Sequence, residues 1–151
     1  MYGNAEENKA IVLRHWEEVV SKGKLGLIDE IFAPDFVAHQ ADQDIRGPEG
    51  VRQFILMLRT AFPDLQVTVE DVLAEGDKVV QRWHGHGSHQ GELMGLPPSA
   101  KRISVAGMTI SRFEEGKVAE EWELYDMMGM MQQLGALPSS TEQQREAAVG
   151  T

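Results

Sequence analysis

The fold is decided by the stretch KVAEEWELYDMMGMMQQLG, residues 117–135. Its first half alternates with a period of two, so Glu121 and Glu123 share one strand face while Trp122 lies on the other. Asp126 then opens a short helix as an acidic N-cap, and a glycine closes that helix. A strand with two carboxylates on one face either shows them to water or lines a cavity.

The same period of two extends back from this stretch through the second half of the chain. It predicts strands near residues 65–73, 78–88, 101–113 and 117–125. Short Gly-containing turns join the first strand to the second and the third to the fourth, and a Gly- and Pro-rich loop at 91–100 separates the second strand from the third. These strands are therefore expected to form one curved antiparallel sheet.

The first half of the chain has helical periodicity instead. Apolar residues recur at helical spacing over about 5–22, 27–32 and 48–62, with a short strand at 36–40. Helices followed by an antiparallel meander predict an α+β fold with the helices on the concave side of the sheet. We expect a single domain over residues 1–137 and a flexible polar tail over 138–151.

Composition indicates a soluble globular protein. The chain has 151 residues, of which 42% are hydrophobic and 25% charged, and this is the usual balance. No apolar run approaches the roughly 20 residues of a membrane span, and no signal peptide opens the chain. Cysteine is absent, which excludes disulfides and favours a cytoplasmic location.

The net charge of −10 limits the partners. Nucleic-acid binding depends on clustered Lys and Arg, and the 14 basic residues here are scattered. An acidic surface also repels anionic membranes. We therefore expect neither nucleic acid nor membrane as a partner, and a hydrophobic small molecule of little charge as the easier ligand.

Three histidines close in sequence, His84, His86 and His89, raise the question of a metal site. No cysteine is available and the spacing fixes no third ligand, so we expect no metal. His39, near the end of the first short strand, either exchanges protons with a substrate or only hydrogen-bonds to a loop. The methionines of 127–131 are typical of a core, and alternatively line one end of a pocket.

Glu121 and Glu123 are the strongest candidates for chemistry. On a solvated strand they need no further explanation. Inside a hydrophobic cavity, burial would raise their pKa values toward neutrality, and such a carboxyl group can remove a proton beside a carbonyl. The sequence leaves both possibilities open.

Several segments together resemble the SnoaL-like polyketide cyclases, with their ester cyclase relatives, of the NTF2-like superfamily. The resemblance runs from about Asn8 to Gly135 and is carried by FPDL at 62–65, GELMGLPP at 91–98 and the closing QQLG at 132–135. It implies a cone-shaped sheet that encloses one apolar pocket. It also implies ring closure by intramolecular aldol condensation with acid–base catalysis and neither metal nor cofactor.

Alignment on the turn at 115–117 places the family's catalytic aspartate at Glu123, which the resemblance makes the general acid/base. Thr109, Gln81 or His39 would help to orient the substrate. Where family members have a histidine, a glutamine and an asparagine, this chain has Thr109, Gly107 and Ala38. An epoxide-type hydrolase and a non-catalytic small-molecule binding protein are therefore kept as alternatives to a cyclase or isomerase.

The expected site has two catalytic candidates, Glu123 and His39. The candidates for substrate binding are Trp16, Phe54, Gln81, Trp83, His89, Thr109, Phe113, Glu121 and Asp126. The opposite face of the sheet would carry Trp122 with His84 and His86. In the family that face commonly packs against a second subunit, so we expect a homodimer.

Overall fold

The computed structural model describes residues 4–40 and 43–137. Its helices are α1 (Ala5–Arg14), which continues as a π-helical turn (His15–Val20), α2 (Ile28–Ile31) after a 3-10 turn (Leu25–Leu27), α3 (Gly47–Ala61) and α4 (Met127–Gln133). Its strands are β1 (Phe32–His39), β2 (Asp44–Arg46), β3 (Gln66–Glu75), β4 (Lys78–Ser88), β5 (Arg102–Glu114) and β6 (Lys117–Tyr125). The expected tail at 138–151 lies outside the described residues.

The six strands form one sheet in the order β2-β1-β6-β5-β4-β3. The four long strands β3 to β6 pair antiparallel, and their observed ends lie within two residues of the predicted ones. β1 joins β6 in parallel, which makes this edge of the sheet mixed. The chain therefore has the expected α+β architecture, with a curved sheet around the N-terminal helices.

The first helix differs from the prediction in its second half. Asn4 caps α1 by accepting a hydrogen bond from the Glu7 backbone N–H at 2.7 Å. After Arg14 the helix widens into a π-helical turn and stops before Gly23, whose φ of +73° suits a residue without a side chain. π-helical turns are frequent at functional sites, and this one turns His15 and Trp16 toward the sheet.

The second helix is shorter than predicted, since Phe32 belongs to β1 and not to the helix. Pro34 follows within the same strand, where a proline would normally remove a ladder hydrogen bond. The pairing of β1 with β6 shifts register between Phe32 and Val37, so Pro34 lies in a bulge and is tolerated there.

The main core lies between the concave face of the sheet and helices α1 to α3. Buried aromatic and aliphatic side chains fill it, among them Val19, Ile28, Phe32, Phe36, Ile55 and Phe113. A second cluster under α4 includes Phe62, Leu93 and Met130. The space between these two clusters is the site described below.

Candidate active site

A cavity of about 190 Å³ lies between the helices and the concave face of the sheet. Its walls are mainly apolar and come from β1, α3, β5 and α4, with contributions from Phe36, Phe54, Ile55, Val105 and Met130. Glu121 and Glu123 of β6 lie in this wall. The two carboxylates therefore face a largely apolar cavity, which decides between the two possibilities that the strand pattern left open.

Each carboxylate has a hydroxyl group directly across the β5–β6 pairing. Ser111 is the cross-strand partner of Glu121, and its hydroxyl donates to Glu121 Oε2 at 2.5 Å. Thr109 is the cross-strand partner of Glu123 and hydrogen-bonds to its carboxylate. Both hydroxyl-bearing residues are fully buried. A register shift between Arg112 and Phe113, close to the β5–β6 turn, brings these residues opposite one another.

The direction of the Ser111 hydrogen bond is set by residues behind the cavity wall. Trp16 Nε1 donates to Gln81 Oε1 at 3.0 Å, which turns the Gln81 amide nitrogen toward Ser111 Oγ at 3.1 Å. Because an indole N–H only donates, the amide orientation is determined, and the Ser111 hydroxyl has its hydrogen left for Glu121. Gln81, predicted to bind substrate, thus lies buried behind the cavity wall and contacts the carboxylate through Ser111.

A parallel arrangement supports the second carboxylate. Trp83 Nε1 donates to Thr109 Oγ1 at 3.0 Å, which leaves the Thr109 hydrogen for Glu123. Gly107, the cross-strand partner of Trp83, makes room for the indole, since a Cβ there would lie 2.3 Å from a ring carbon. Trp83 therefore occupies the space that a larger side chain at 107 would need.

The amide of Gln40 completes the contacts of Glu123. Gln40 Nε2 donates to Glu123 Oε2 at 2.7 Å, from the loop that follows β1. Gln40 was not among the predicted site residues, although the alternation of Phe36, Ala38 and Gln40 puts all three on the cavity side. The polar group absent at position 38 is thus supplied two residues later.

Burial is the main electrostatic influence on both carboxylates. It raises the pKa of Glu121 to about 8, helped by repulsion from Glu123, while the Ser111 hydrogen bond opposes the rise. Burial also raises the pKa of Glu123, against the hydrogen bonds from Gln40 and Thr109. Glu121 is 5% exposed and Glu123 is half-buried, so the two sites differ in their contact with water.

His15 is a second cavity residue that the sequence analysis missed. Its ring packs against Trp16 and, edge-on, against Phe32, with ring centres 5.4 and 5.0 Å apart. Burial lowers its pKa to about 4, so it is neutral near pH 7, and its buried Nδ1 has no partner among the described residues. A histidine within the apolar stripe of the first helix was the available signal.

His39 does not belong to the cavity, which corrects its predicted placement. Because Ala38 and Gln40 face inward, the strand alternation turns His39 outward, where its Nε2 lies 2.7 Å from Glu120 Oε2 and its Nδ1 3.3 Å from Asp44. Its hydrogen bond to Glu120 raises its pKa. The loop-binding alternative describes His39 better than proton exchange with a substrate.

Asp126 and His89 also lie outside the cavity wall. Asp126 caps α4 by accepting from the Gly129 backbone N–H at 2.9 Å. His89 is buried beside Phe62 and pairs through Nδ1 with the Ser99 hydroxyl at 2.9 Å. Both residues thus stabilise local structure next to the cavity and do not line it.

The other predicted site residues divide between the cavity and its support. Trp16, Phe54 and Trp83 line the cavity. Phe113 was predicted to bind substrate, but it is fully buried in the core, away from the cavity wall. Thr109 lies behind the cavity wall and contacts Glu123.

The histidines of β4 have no metal-binding arrangement. His84 bonds to the Ser104 hydroxyl, and its ring lies 6.2 Å from that of His86. The expectation that both turn away from the cavity is met only by His84, because His86 also borders the cavity. Within residues 4–40 and 43–137, no group of three or more His, Asp or Glu side chains is placed to hold a metal ion.

The outer face of the sheet carries five exposed apolar side chains. Leu73, Met108, Ile110, Trp122 and Leu124, here called the convex patch, are 36–73% exposed. Cross-strand pairing places Ile110 beside Trp122 and Met108 beside Leu124. In the part of the chain that the structure describes, no helix has both the length and the apolar character needed to span a bilayer.

Solved structures and curated proteins resemble this chain over most of its length. AclR from Streptomyces galilaeus, a candidate hydroxylase, superposes with a TM-score of 0.83 at 31% identity, covering 97% of this chain and 92% of AclR. A SnoaL-like polyketide cyclase candidate from Jannaschia sp. CCS1 gives 0.82 at 30% identity, covering 89% and 95%. The nogalonic acid methyl ester cyclase of Streptomyces nogalater is 28% identical over 117 residues, which are 75% of this chain and 87% of that protein.

The aklanonic acid methyl ester cyclase DauD of Streptomyces sp. strain C5 is 26% identical over 129 residues, covering 82% of this chain and 80% of DauD. The family model described as SnoaL-like polyketide cyclase matches residues 10–134, which include the whole cavity-forming sheet and both carboxylates. The chain therefore belongs to the SnoaL-like polyketide cyclase family.

Proposed function

We propose that this protein closes a ring in a hydrophobic polyketide-type ester by intramolecular aldol addition, with Glu123 as the general base. The observation that carries the proposal is the pair of carboxylates with raised pKa values in the wall of an apolar cavity. Relatives named as methyl ester cyclases support the substrate class.

Glu123 has the contacts that a base for this reaction needs. Burial raises its pKa, which makes it a stronger base than a solvated glutamate. Gln40 and Thr109 both donate to it, so its orientation is fixed before a substrate arrives. A C–H group next to a ketone of the substrate then loses its proton to Glu123, and the resulting enolate attacks a second carbonyl of the same molecule.

The apolar wall supports a hydrophobic, largely planar substrate. Trp16 and Trp83 lie with ring centres 5.2 Å apart and both border the cavity. Aromatic side chains offer flat surfaces against which conjugated ring systems pack. No Lys or Arg is among the described residues that line the cavity, so a strongly anionic substrate is not favoured.

The test uses nogalonic acid methyl ester and aklanonic acid methyl ester as substrates. Glu123→Gln keeps the shape of the side chain but removes the base, and we expect the ring-closing rate to fall on the order of a hundredfold or more. Liquid chromatography with mass detection follows a product that has the mass of the substrate and a changed retention time. Glu75→Gln, at the exposed end of β3, is the control and should react like the wild type.

Two outcomes would contradict the proposal. A Glu123→Gln variant with wild-type rates would remove Glu123 as the base. Binding of either ester without turnover by the wild-type protein would favour a binding protein over a cyclase.

We further propose a cytoplasmic homodimer, with the convex patch as the interface. Contiguous apolar patches of this kind are uncommon on monomers, and a second copy of the same face would cover it. The absence of cysteine supports the reducing compartment. Light scattering should give twice the 16.8 kDa of one chain, and Leu124→Glu should shift the mass toward one chain. A wild-type protein of single-chain mass at micromolar concentration would contradict this interface.

A further inference from the structure

We propose that Glu121 is a second catalytic residue, which carries a proton in the resting protein and gives it to the oxygen on which charge develops during ring closure. The inference deepens the proposed function and rests on it. It assigns opposite tasks to two glutamates on the same strand face: Glu123 removes a proton from carbon, and Glu121 supplies one to oxygen.

The hydrogen-bond directions fix where that proton lies. Trp16 orients Gln81, Gln81 donates to Ser111, and the Ser111 hydroxyl is left with only Glu121 Oε2 as its acceptor. We assign Oε2 as the acceptor of the Ser111 hydrogen, since the hydroxyl has no other acceptor in these contacts. The proton of Glu121 is then assigned to Oε1, and Glu121 borders the cavity.

The unequal contacts of the two carboxylates decide which one is protonated. Glu123 receives hydrogen bonds from both Gln40 and Thr109, and both favour its anionic form. Glu121 receives one, from Ser111, and is the more deeply buried of the two. A single negative charge shared by the pair is thus more stable on Glu123, and the raised pKa of Glu121 agrees with this.

The titratable groups that face the pair do not reverse the assignment. The described cavity wall also contains His15 on the π-helical turn, His86 on β4 and Tyr125 on β6. His15 is kept neutral by burial. No Lys or Arg side chain of the described wall offsets the repulsion between the two glutamates, which favours one of them keeping its proton.

The proton and electron balance of the step is complete. Glu123 takes the proton from the carbon beside the ketone, and the C–H electron pair becomes the enolate. The enolate carbon bonds to the second carbonyl carbon, whose π electrons move to oxygen, and the proton from Glu121 Oε1 neutralises that oxygen. Transfer of the proton from Glu123 to Glu121 restores the resting pair, and the product is an isomer of the substrate.

The first experiment needs no substrate. Carbon-13 NMR of protein labelled at the glutamate carboxyl carbon should show one protonated glutamate at pH 7. That resonance should be lost in Glu121→Gln and retained in Glu123→Gln and Glu75→Gln. The inference is overturned if no glutamate is protonated at pH 7, or if the protonated resonance is lost in Glu123→Gln and kept in Glu121→Gln.

The second experiment measures kcat and KM with the two methyl esters over a range of pH. Glu121→Gln keeps an N–H donor but cannot give up a proton, so we expect kcat at pH 7 to fall, though by less than in Glu121→Met, and the decline at alkaline pH that ionisation of Glu121 causes to disappear. Glu121→Met removes the donor with little change of size and should lower kcat on the order of a hundredfold, with KM nearly unchanged.

The outcomes separate this inference from the proposed function. If Glu123→Gln is inactive while Glu121→Met retains wild-type kcat, the role of Glu121 is overturned and the cyclase proposal stands. If Glu123→Gln retains wild-type activity, the cyclase proposal fails, whatever the NMR titration shows for Glu121. Ser111→Ala, a milder change, should raise the titration midpoint of Glu121 and so tests the same contact if Glu121→Met does not fold.

Discussion

Thr109 and Ser111 have the same task at neighbouring positions of one strand, but they act on different carboxylates. Each accepts a hydrogen bond from an N–H group and donates its own hydrogen across the strand pair. Because the donation favours a charged carboxylate, each hydroxyl lowers the pKa of its own partner. The two hydroxyls therefore allow Glu121 and Glu123 to be perturbed separately.

Thr109→Val removes the donor to Glu123 while the volume of the side chain is nearly kept. We expect the pKa of Glu123 to rise further, so that the acidic limb of the kcat/KM profile for ring closure moves to higher pH. Thr109→Ser retains the hydroxyl and should restore the wild-type profile. An acidic limb that stays in place in Thr109→Val would show that this hydroxyl does not control the base.

At the level of single residues, the sequence predicted the cavity carboxylates and missed some of their neighbours. The alternation of β6 identified Glu121 and Glu123, but a period of two does not show which face of a strand is exposed to solvent. Gln40 was missed although it is the last residue of the strand predicted at 36–40 and lies on the same face as Phe36 and Ala38. His39 was predicted to be catalytic because histidine titrates near neutral pH. The strand alternation instead turns its side chain outward, toward Glu120.

Among the elements, α4 shows how a side chain with plausible chemistry can have a structural task. Asp126 accepts from the Gly129 N–H and holds the first turn of this short helix, which carries Met130 into the cavity wall. Asp126→Ala should destabilise the fold by about 1 kcal/mol, the usual cost of a lost N-cap. Urea unfolding measures this change.

The matched variant Asp126→Asn retains a side-chain acceptor and should be nearly as stable as the wild type. We expect its ring-closing rate to equal that of the wild type, since Asp126 lies outside the cavity wall. A large loss of rate in Asp126→Asn without a loss of stability would return Asp126 to the substrate site.

The four long strands were predicted more accurately than the first helix and the sheet edge, where β1 begins at Phe32 and not at 36 and β2 was not predicted. β3 and β5 each end at a turn that requires glycine, Gly76 with φ of +60° and Gly116 with φ of +79°, and such residues are visible in the sequence. The π-helical turn after Arg14 leaves no such mark, because its wider hydrogen-bonding pattern depends on packing against the sheet. Helix length was therefore overestimated where tertiary contacts decide it.

For the molecule as a whole, a cavity with buried ionisable groups links function to stability. Burial lowers the pKa of His15 below its ordinary 6.5, so the unfolded chain binds more protons and stability rises with pH between about 4 and 6.5. The raised pKa of Glu121 acts in the opposite direction. Between these pH values the folded state binds a proton that the unfolded state has lost. The stability contributed by Glu121 is therefore fully present below pH 4.5 and is lost as pH rises toward 8.

Comparison of Glu121→Gln with the wild type isolates the second effect, because the contribution of His15 is common to both proteins. A shift from 4.5 to about 8 corresponds to a free energy on the order of 4 kcal/mol over that pH range. We expect Glu121→Gln to gain stability relative to the wild type as pH rises from 4.5 to 8, measured by urea unfolding at several pH values. Glu75→Gln should show no such trend, because its side chain is exposed. A constant difference between Glu121→Gln and the wild type would mean that Glu121 is ionised throughout, and that the cavity does not hold a proton for catalysis.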